Sequence, residues 1–241
     1  MMAIARFNWP FYLAATGILF ASLAGLVFLS RLIAHLLCGL LAAGVAYFLF
    51  GSLGVSHLIY DLSDLYRWHW LERALRGATR QRVIFCHSGF DESSCELRVR
   101  FEEDWLILDH FDETIMTEPS IQRARALFPP TPDTLRAPYD HWPVPSQTAN
   151  AVLALLAIHE LRKDGQREAW FSEAKRCLRD GGRVVLVEHL RGFANFVAFG
   201  PGFLHFHSRR SWRRNWESAG FRLVEEFRVT PWVRVFVLSL K

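Results

Sequence analysis

At 241 residues and a net charge of +4, the chain is long enough for one large domain or for a domain with an appendage. The first 60 residues hold no Asp, Glu or Lys and only two arginines, Arg6 and Arg31, so +4 less these two leaves +2 for the rest, too little for a nucleic-acid footprint. The cysteines, Cys38, Cys86, Cys95 and Cys177, show no Cys-x-x-Cys spacing, which excludes a disulfide framework or a zinc ribbon and reads as a reducing compartment.

The first predicted elements are two apolar runs. Trp9 to Leu29 carries no charged side chain, and from Leu32 to Tyr60 His35 and His57 are the only basic or acidic residues. About 20 apolar residues cross a hydrocarbon core, so the pattern predicts a transmembrane helical hairpin over residues 1–58, turning at Ser30 and Arg31. A cleaved signal peptide explains neither the second run nor the lack of a small-residue cleavage site. Arg67, Arg73, Arg76, Arg80 and Arg82 follow the second run, and the excess of arginine there places both ends, and the soluble domain, in the cytoplasm. Residues 59–78 read as an interfacial connector helix. Leu62, Leu65, Leu71 and Leu75 sit near helical spacing, Gly77 is a stop, and Trp68 and Trp70 suit either headgroups or core packing.

From 79 to 241 strands alternate with helices. Short apolar strands are expected at Arg82 to Cys86, Trp105 to Leu108, Ala151 to Ile158 and Arg183 to Val187, with helices over Ile121 to Leu127 and Glu168 to Leu178. Trp170, Phe171, Ala174, Cys177 and Leu178 share one helix face. Gly181 and Gly182 allow a reversal, and Val184 to Val187 presents no polar face, so that strand is buried on both sides. Repeated β-α units imply a doubly wound, mostly parallel sheet. Ser211 to Ala219 then predicts a helix, and Phe221 to Val229 with Trp232 to Leu240 an antiparallel closing pair.

These segments together resemble the class I S-adenosylmethionine-dependent methyltransferases from about residue 79 onward. Phe171 to Glu188 is similar to the family's helix, L-x-x-G-G turn and fifth strand. Trp216-Glu217-Ser218-Ala219-Gly220-Phe221 is similar to its entry into the sixth strand. Leu108-Asp109 with Ile121 to Arg125 resembles its second strand and following helix, and Trp142 to Pro145 the loop before its fourth strand. The resemblance implies a seven-stranded Rossmann-like sheet and S-adenosylmethionine as cofactor. In the loop Phe85-Cys86-His87-Ser88-Gly89-Phe90-Asp91, however, His87 and Asp91 replace family glycines and Phe85 replaces an acid.

The cofactor-binding candidates that follow are His87, Ser88 and Gly89 in that loop, Asp109 for the ribose hydroxyls and Asp140 for the adenine amino group. Ordinary turn and loop roles compete for Gly89, Asp109 and Asp140. His159, Glu160 and His189 fall just after predicted strands, where a parallel sheet gathers its ligands, and are the catalytic candidates, with capping of nearby backbone as the rival role for Glu160. His205-x-His207 alone does not define a metal motif, and no His-Glu-x-x-His is present, so no metal ligands are assigned, with a metal-dependent enzyme using the histidines at the sheet edge as a competing reading. Phe193 to Phe206 is apolar enough to line an acceptor pocket or to rest in a membrane interface.

The function expected is a membrane-anchored methyltransferase acting on a lipophilic acceptor, quinone-, isoprenoid-, polyene- or lipid-like, at the cytoplasmic face. The alternative is a catalytically degenerate methyltransferase fold serving as a membrane scaffold. A partner protein or a second copy of the chain remains open for both.

Overall fold

The computed structural model describes residues 6–76 and 82–241, so the stop expected at Gly77 and the side chain of Arg80 lie outside the described residues. Helix α1 (Trp9–Phe28) and helix α2 (Leu32–Leu62) form a hairpin, both long and apolar enough by length and composition to cross a membrane. Their large side chains face outward, with Phe20 67% and Leu40 72% exposed. Leaving such a surface in water costs roughly 25 cal/mol per Å² of apolar area.

The second helix is longer than its apolar run suggests. Two π-helical segments, Phe48–Ser52 and Leu58–Leu62, carry it past the expected end. Ile59 is fully buried in the domain core, together with Leu65, Trp68, Trp70 and Leu71. The connector is therefore one of the layers that cover the sheet. Its helix is short, α3 (His69–Ala74), and both tryptophans are core residues and not headgroup anchors.

The sheet has seven strands: β1 (Arg82–His87), β2 (Asp104–Asp109), β3 (Leu135–Arg136), β4 (Ala149–Leu155), β5 (Leu178–His189), β6 (Phe221–Arg228) and β7 (Val233–Leu240), in the order β3-β2-β1-β4-β5-β7-β6. All pairings are parallel except those of β7, which runs antiparallel to β5 and β6, as the closing pair at the carboxyl terminus predicts. Between them lie α4 (Ser94–Arg100), α5 (Pro119–Leu127), α6 (Asp164–Cys177), α7 (Phe193–Phe199) and α8 (Arg209–Ser218). Alternation in the strands divides the core. Ile84, Cys86, Val152 and Leu186 face Trp170 and Phe171 of α6 and Trp212 of α8, whereas Val83, Phe85, Leu153 and Val187 face the connector layer.

Strand β5 corrects the expected reversal at Gly181-Gly182. Pairing with β4 begins at Leu178, opposite Ala149, and resumes at Arg183, opposite Ala151. The extra residues bulge out of the strand, with Gly181 at φ +77° in the left-handed region. The chain thus passes from α6 straight into the strand without a separate turn.

Candidate active site

Strand order reverses between β1 and β4, and open α/β sheets bind ligands beyond the carboxyl ends of strands at such a point. A cavity of about 530 Å³ opens there. Phe85 and Ser88 line it from the end of β1, Leu155 to Ala157 from the end of β4, and His189 from the end of β5. The hairpin supplies another part of the wall, with Phe7 and Asn8 ahead of α1 and Tyr60 and Asp61 in the last turn of α2.

Contacts hold the hairpin in this place. Arg123 of α5 donates to the Phe7 carbonyl at 2.5 Å, and the Phe7 ring meets Phe90 edge-on at 5.0 Å. Tyr60 is hydrogen-bonded to His189 at 2.9 Å. Because His189 Nδ1 contacts the Trp232 carbonyl at 3.1 Å, Nδ1 carries the proton and Nε2 accepts from the tyrosine hydroxyl. Both nitrogens are committed. Burial pushes this imidazole down to about 4, so it stays neutral.

The remodelled loop after β1 is built around Asp109. Its Oδ1 accepts the backbone N–H of Gly89 at 2.9 Å and of Phe111 at 3.0 Å, while Oδ2 pairs with Arg125. The carboxylate is 2% exposed. It clamps the loop, which leaves the proposed ribose contact with little free acceptor capacity. Gly89 has φ +87°, and a Cβ there would meet the Phe111 ring at 2.6 Å, so both conformation and space require glycine. His87 is buried with neither ring nitrogen hydrogen-bonded among the described residues, and its Nδ1 lies 3.5 Å from Asp109. Burial lowers its pKa. Ser88 is likewise buried and its hydroxyl unpartnered among the described residues, but it lines the cavity. Asp140 is exposed in the loop before Trp142 and is absent from the cavity wall.

His159 and Glu160 do reach the cavity, in a 3₁₀ turn (Ile158–Glu160) after β4. Glu188, fully buried, accepts the backbone N–H of Ile158 at 3.0 Å and of His159 at 3.1 Å through Oε1, and holds His159 Nδ1 at 2.7 Å through Oε2. Burial alone would lower the His159 pKa, but the Glu188 carboxylate outweighs it and the imidazole is held above its ordinary value. The loop ending at His205 brings a second imidazole to Glu160, whereas His207 turns toward Arg167.

Sequence reasoning missed Tyr66 and Glu92. Tyr66 donates to the Glu92 carboxylate, and burial raises the pKa of both groups. Only the crossing of the connector over the sheet joins them, and no local spacing signals it. Together with Tyr60, Phe85 and Phe90 they make a wall of aromatic faces and carboxylate.

Strand order and the reversed seventh strand define the class I methyltransferase fold. Among solved structures, the chain is similar to an S-adenosylmethionine-dependent methyltransferase from Aquifex aeolicus, at 15% identity and TM-score 0.53 over 75% of this chain and 94% of that one. It is similar at 14% identity and TM-score 0.54 to a methyltransferase from Leishmania major, over 80% and 78% of the two chains. One from Clostridium acetobutylicum matches at 6% identity and TM-score 0.55, over 76% and 95%. No family model and no curated protein matches the sequence.

Proposed function

We infer that the protein is a membrane-anchored S-adenosylmethionine-dependent methyltransferase whose acceptor is a lipophilic molecule, quinone-, isoprenoid-, polyene- or lipid-like, taken up at the cytoplasmic face. One observation carries this reading: a single cavity is walled both by the ends of two apolar helices and by the carboxyl edge of a methyltransferase sheet. Helix α7 supports it. Phe193 is 81% and Phe196 47% exposed, and the Val197 carbonyl accepts from Tyr47 of α2 at 2.5 Å, which sets an apolar surface alongside the hairpin.

S-adenosylmethionine, when bound, supplies a methyl group on a positively charged sulfonium. The faces of Tyr66, Phe85 and Phe90 with the Glu92 carboxylate suit that cation, since aromatic faces attract cations by roughly 0.5–2 kcal/mol. Ser88 turns its hydroxyl to the cavity, and Gly89 gives the loop the turn that packs on Phe111. Asp109 acts one step back by holding Gly89 in place. His159, fixed by Glu188, and Glu160 orient the polar end of the acceptor, and His189 positions Tyr60. Methyl transfer depends chiefly on such alignment.

The scaffold reading draws on His87 and on the fully engaged Asp109. Calorimetry on the full chain in detergent separates the two. Saturable binding of S-adenosylmethionine, weakened by Glu92→Gln and Phe90→Ala, together with transfer of labelled methyl into a lipid extract, is expected of the enzyme. Absence of binding at millimolar concentration would leave the scaffold.

A further inference from the structure

His159, Glu160 and His205 converge although α6, β5 and α7 all lie between the last and the others in sequence. Their donor atoms all lie within 4.8 Å of one another. Glu160 Oε1 is 3.5 Å from His159 Nε2 and 3.4 Å from His205 Nε2. These separations are long for charge-assisted hydrogen bonds, which close to about 2.7–2.9 Å. They match the edge of a tetrahedron around a metal, which for ligand distances of about 2.0–2.2 Å is roughly 3.3–3.6 Å.

The surroundings also suit a cation. Glu188 holds His159 through Nδ1, which leaves Nε2 as the nitrogen that faces the cluster. A carboxylate behind a ligating imidazole is the usual outer partner at such sites. Glu118 approaches His205 Nδ1 at 3.9 Å on the equivalent side of the second ring. Arg162, the nearby cation, binds the backbone carbonyls of both His159 and His205 and so ties the two histidines together from outside. Three carboxylates outweigh its charge.

We propose that His159, Glu160 and His205 form a site for one divalent transition metal of the zinc class. Two imidazoles and one carboxylate leave a fourth position open, as catalytic zinc sites do. His159 and Glu160 both line the cavity, so that position takes water or an oxygen of the molecule occupying it. The site stands on these donors alone and does not depend on methyl transfer.

The test uses the full chain in detergent, untagged and stripped with a chelator, titrated with Co²⁺ and followed by ligand-field absorption in the visible. Expected are one equivalent bound in a four- or five-coordinate spectrum, displacement by Zn²⁺, and loss of at least tenfold in affinity in His205→Ala and in Glu160→Gln. Glu188→Gln should weaken binding by about 10–100-fold without removing it. His141→Ala, at an exposed histidine elsewhere, should bind as the parent does. Circular dichroism of each variant confirms folding. No absorption at equimolar Co²⁺, or folded His205→Ala and Glu160→Gln variants with parental affinity, would overturn the site.

Discussion

Tyr60 and His189 join the end of a long apolar helix to the end of a sheet strand through one hydrogen bond of 2.9 Å. In Tyr60→Phe the His189 Nε2 acceptor loses its donor inside the protein. The unfolding free energy should fall by about 1–2 kcal/mol, read as a lower midpoint in thermal unfolding of the detergent-solubilised chain. An unchanged midpoint would show that the bond contributes no net stability.

Asp109 and Gly89 should behave as parts of one clamp. Asp109→Ala leaves Arg125 and two backbone N–H groups without their acceptor, so a loss of about 3 kcal/mol or more is expected. Gly89→Ala strains a left-handed residue against Phe111 and should lose about 1–3 kcal/mol. A residue that served only the ribose would weaken cofactor binding and leave the unfolding midpoint alone. Denaturant titration of both variants without ligand distinguishes these roles.

Acid should destabilise the protein through buried neutral histidines. His110 donates through Nδ1 to the Ala137 carbonyl at 2.8 Å and accepts from Trp170 at 3.1 Å, and burial pushes its pKa down to about 4, as for His189. The unfolded chain takes up a proton near pH 6.5, the folded one only near pH 4. Their contribution is therefore fully present above about pH 6.5 and is lost as pH falls toward 4, on the order of 3 kcal/mol for each group. Stability measured across that interval should decline steeply, and His110→Asn should flatten the slope. A level profile would contradict the neutral, buried assignment.

Glu188 secures the turn that carries His159. Glu188→Ala should lose about 3 kcal/mol or more, since two N–H groups and the imidazole lose their acceptor together. Glu188→Gln should be milder, because an amide oxygen still serves the backbone while its nitrogen opposes His159. Equal loss in the two variants, measured by urea unfolding, would argue that the backbone contacts do not matter.

Much of the sheet was legible because its signals are local. The apolar run Val184 to Val187, the face made by Trp170, Phe171 and Ala174, and the closing strands after Phe221 each announce themselves within a dozen residues. What stayed hidden depends on partners distant in sequence. Asp109 looks like a free strand-end carboxylate until α5 brings Arg125 onto it. Trp68 and Trp70 suit headgroups or core equally until the connector lies across β1 and β4. His205 carries no motif, since Glu160 reaches it only through the fold. The apolar run did not show where α2 ends, because its last turns are apolar for a different reason, burial in the core around Ile59.

The hairpin arms are unequal, 31 residues in α2 against 20 in α1. The longer arm includes two π-helical segments and still reaches farther than the shorter one. On the membrane reading proposed above, the cavity between Phe7 and Tyr60 then lies at this end of the hairpin, close beneath the bilayer surface. An amphiphile whose tail reaches from this cavity into the bilayer can place its reactive head among His159 and Glu160 while its tail stays dissolved in lipid. Chain length would then set which acceptors are served, because only a short-tailed molecule would have to leave the bilayer entirely.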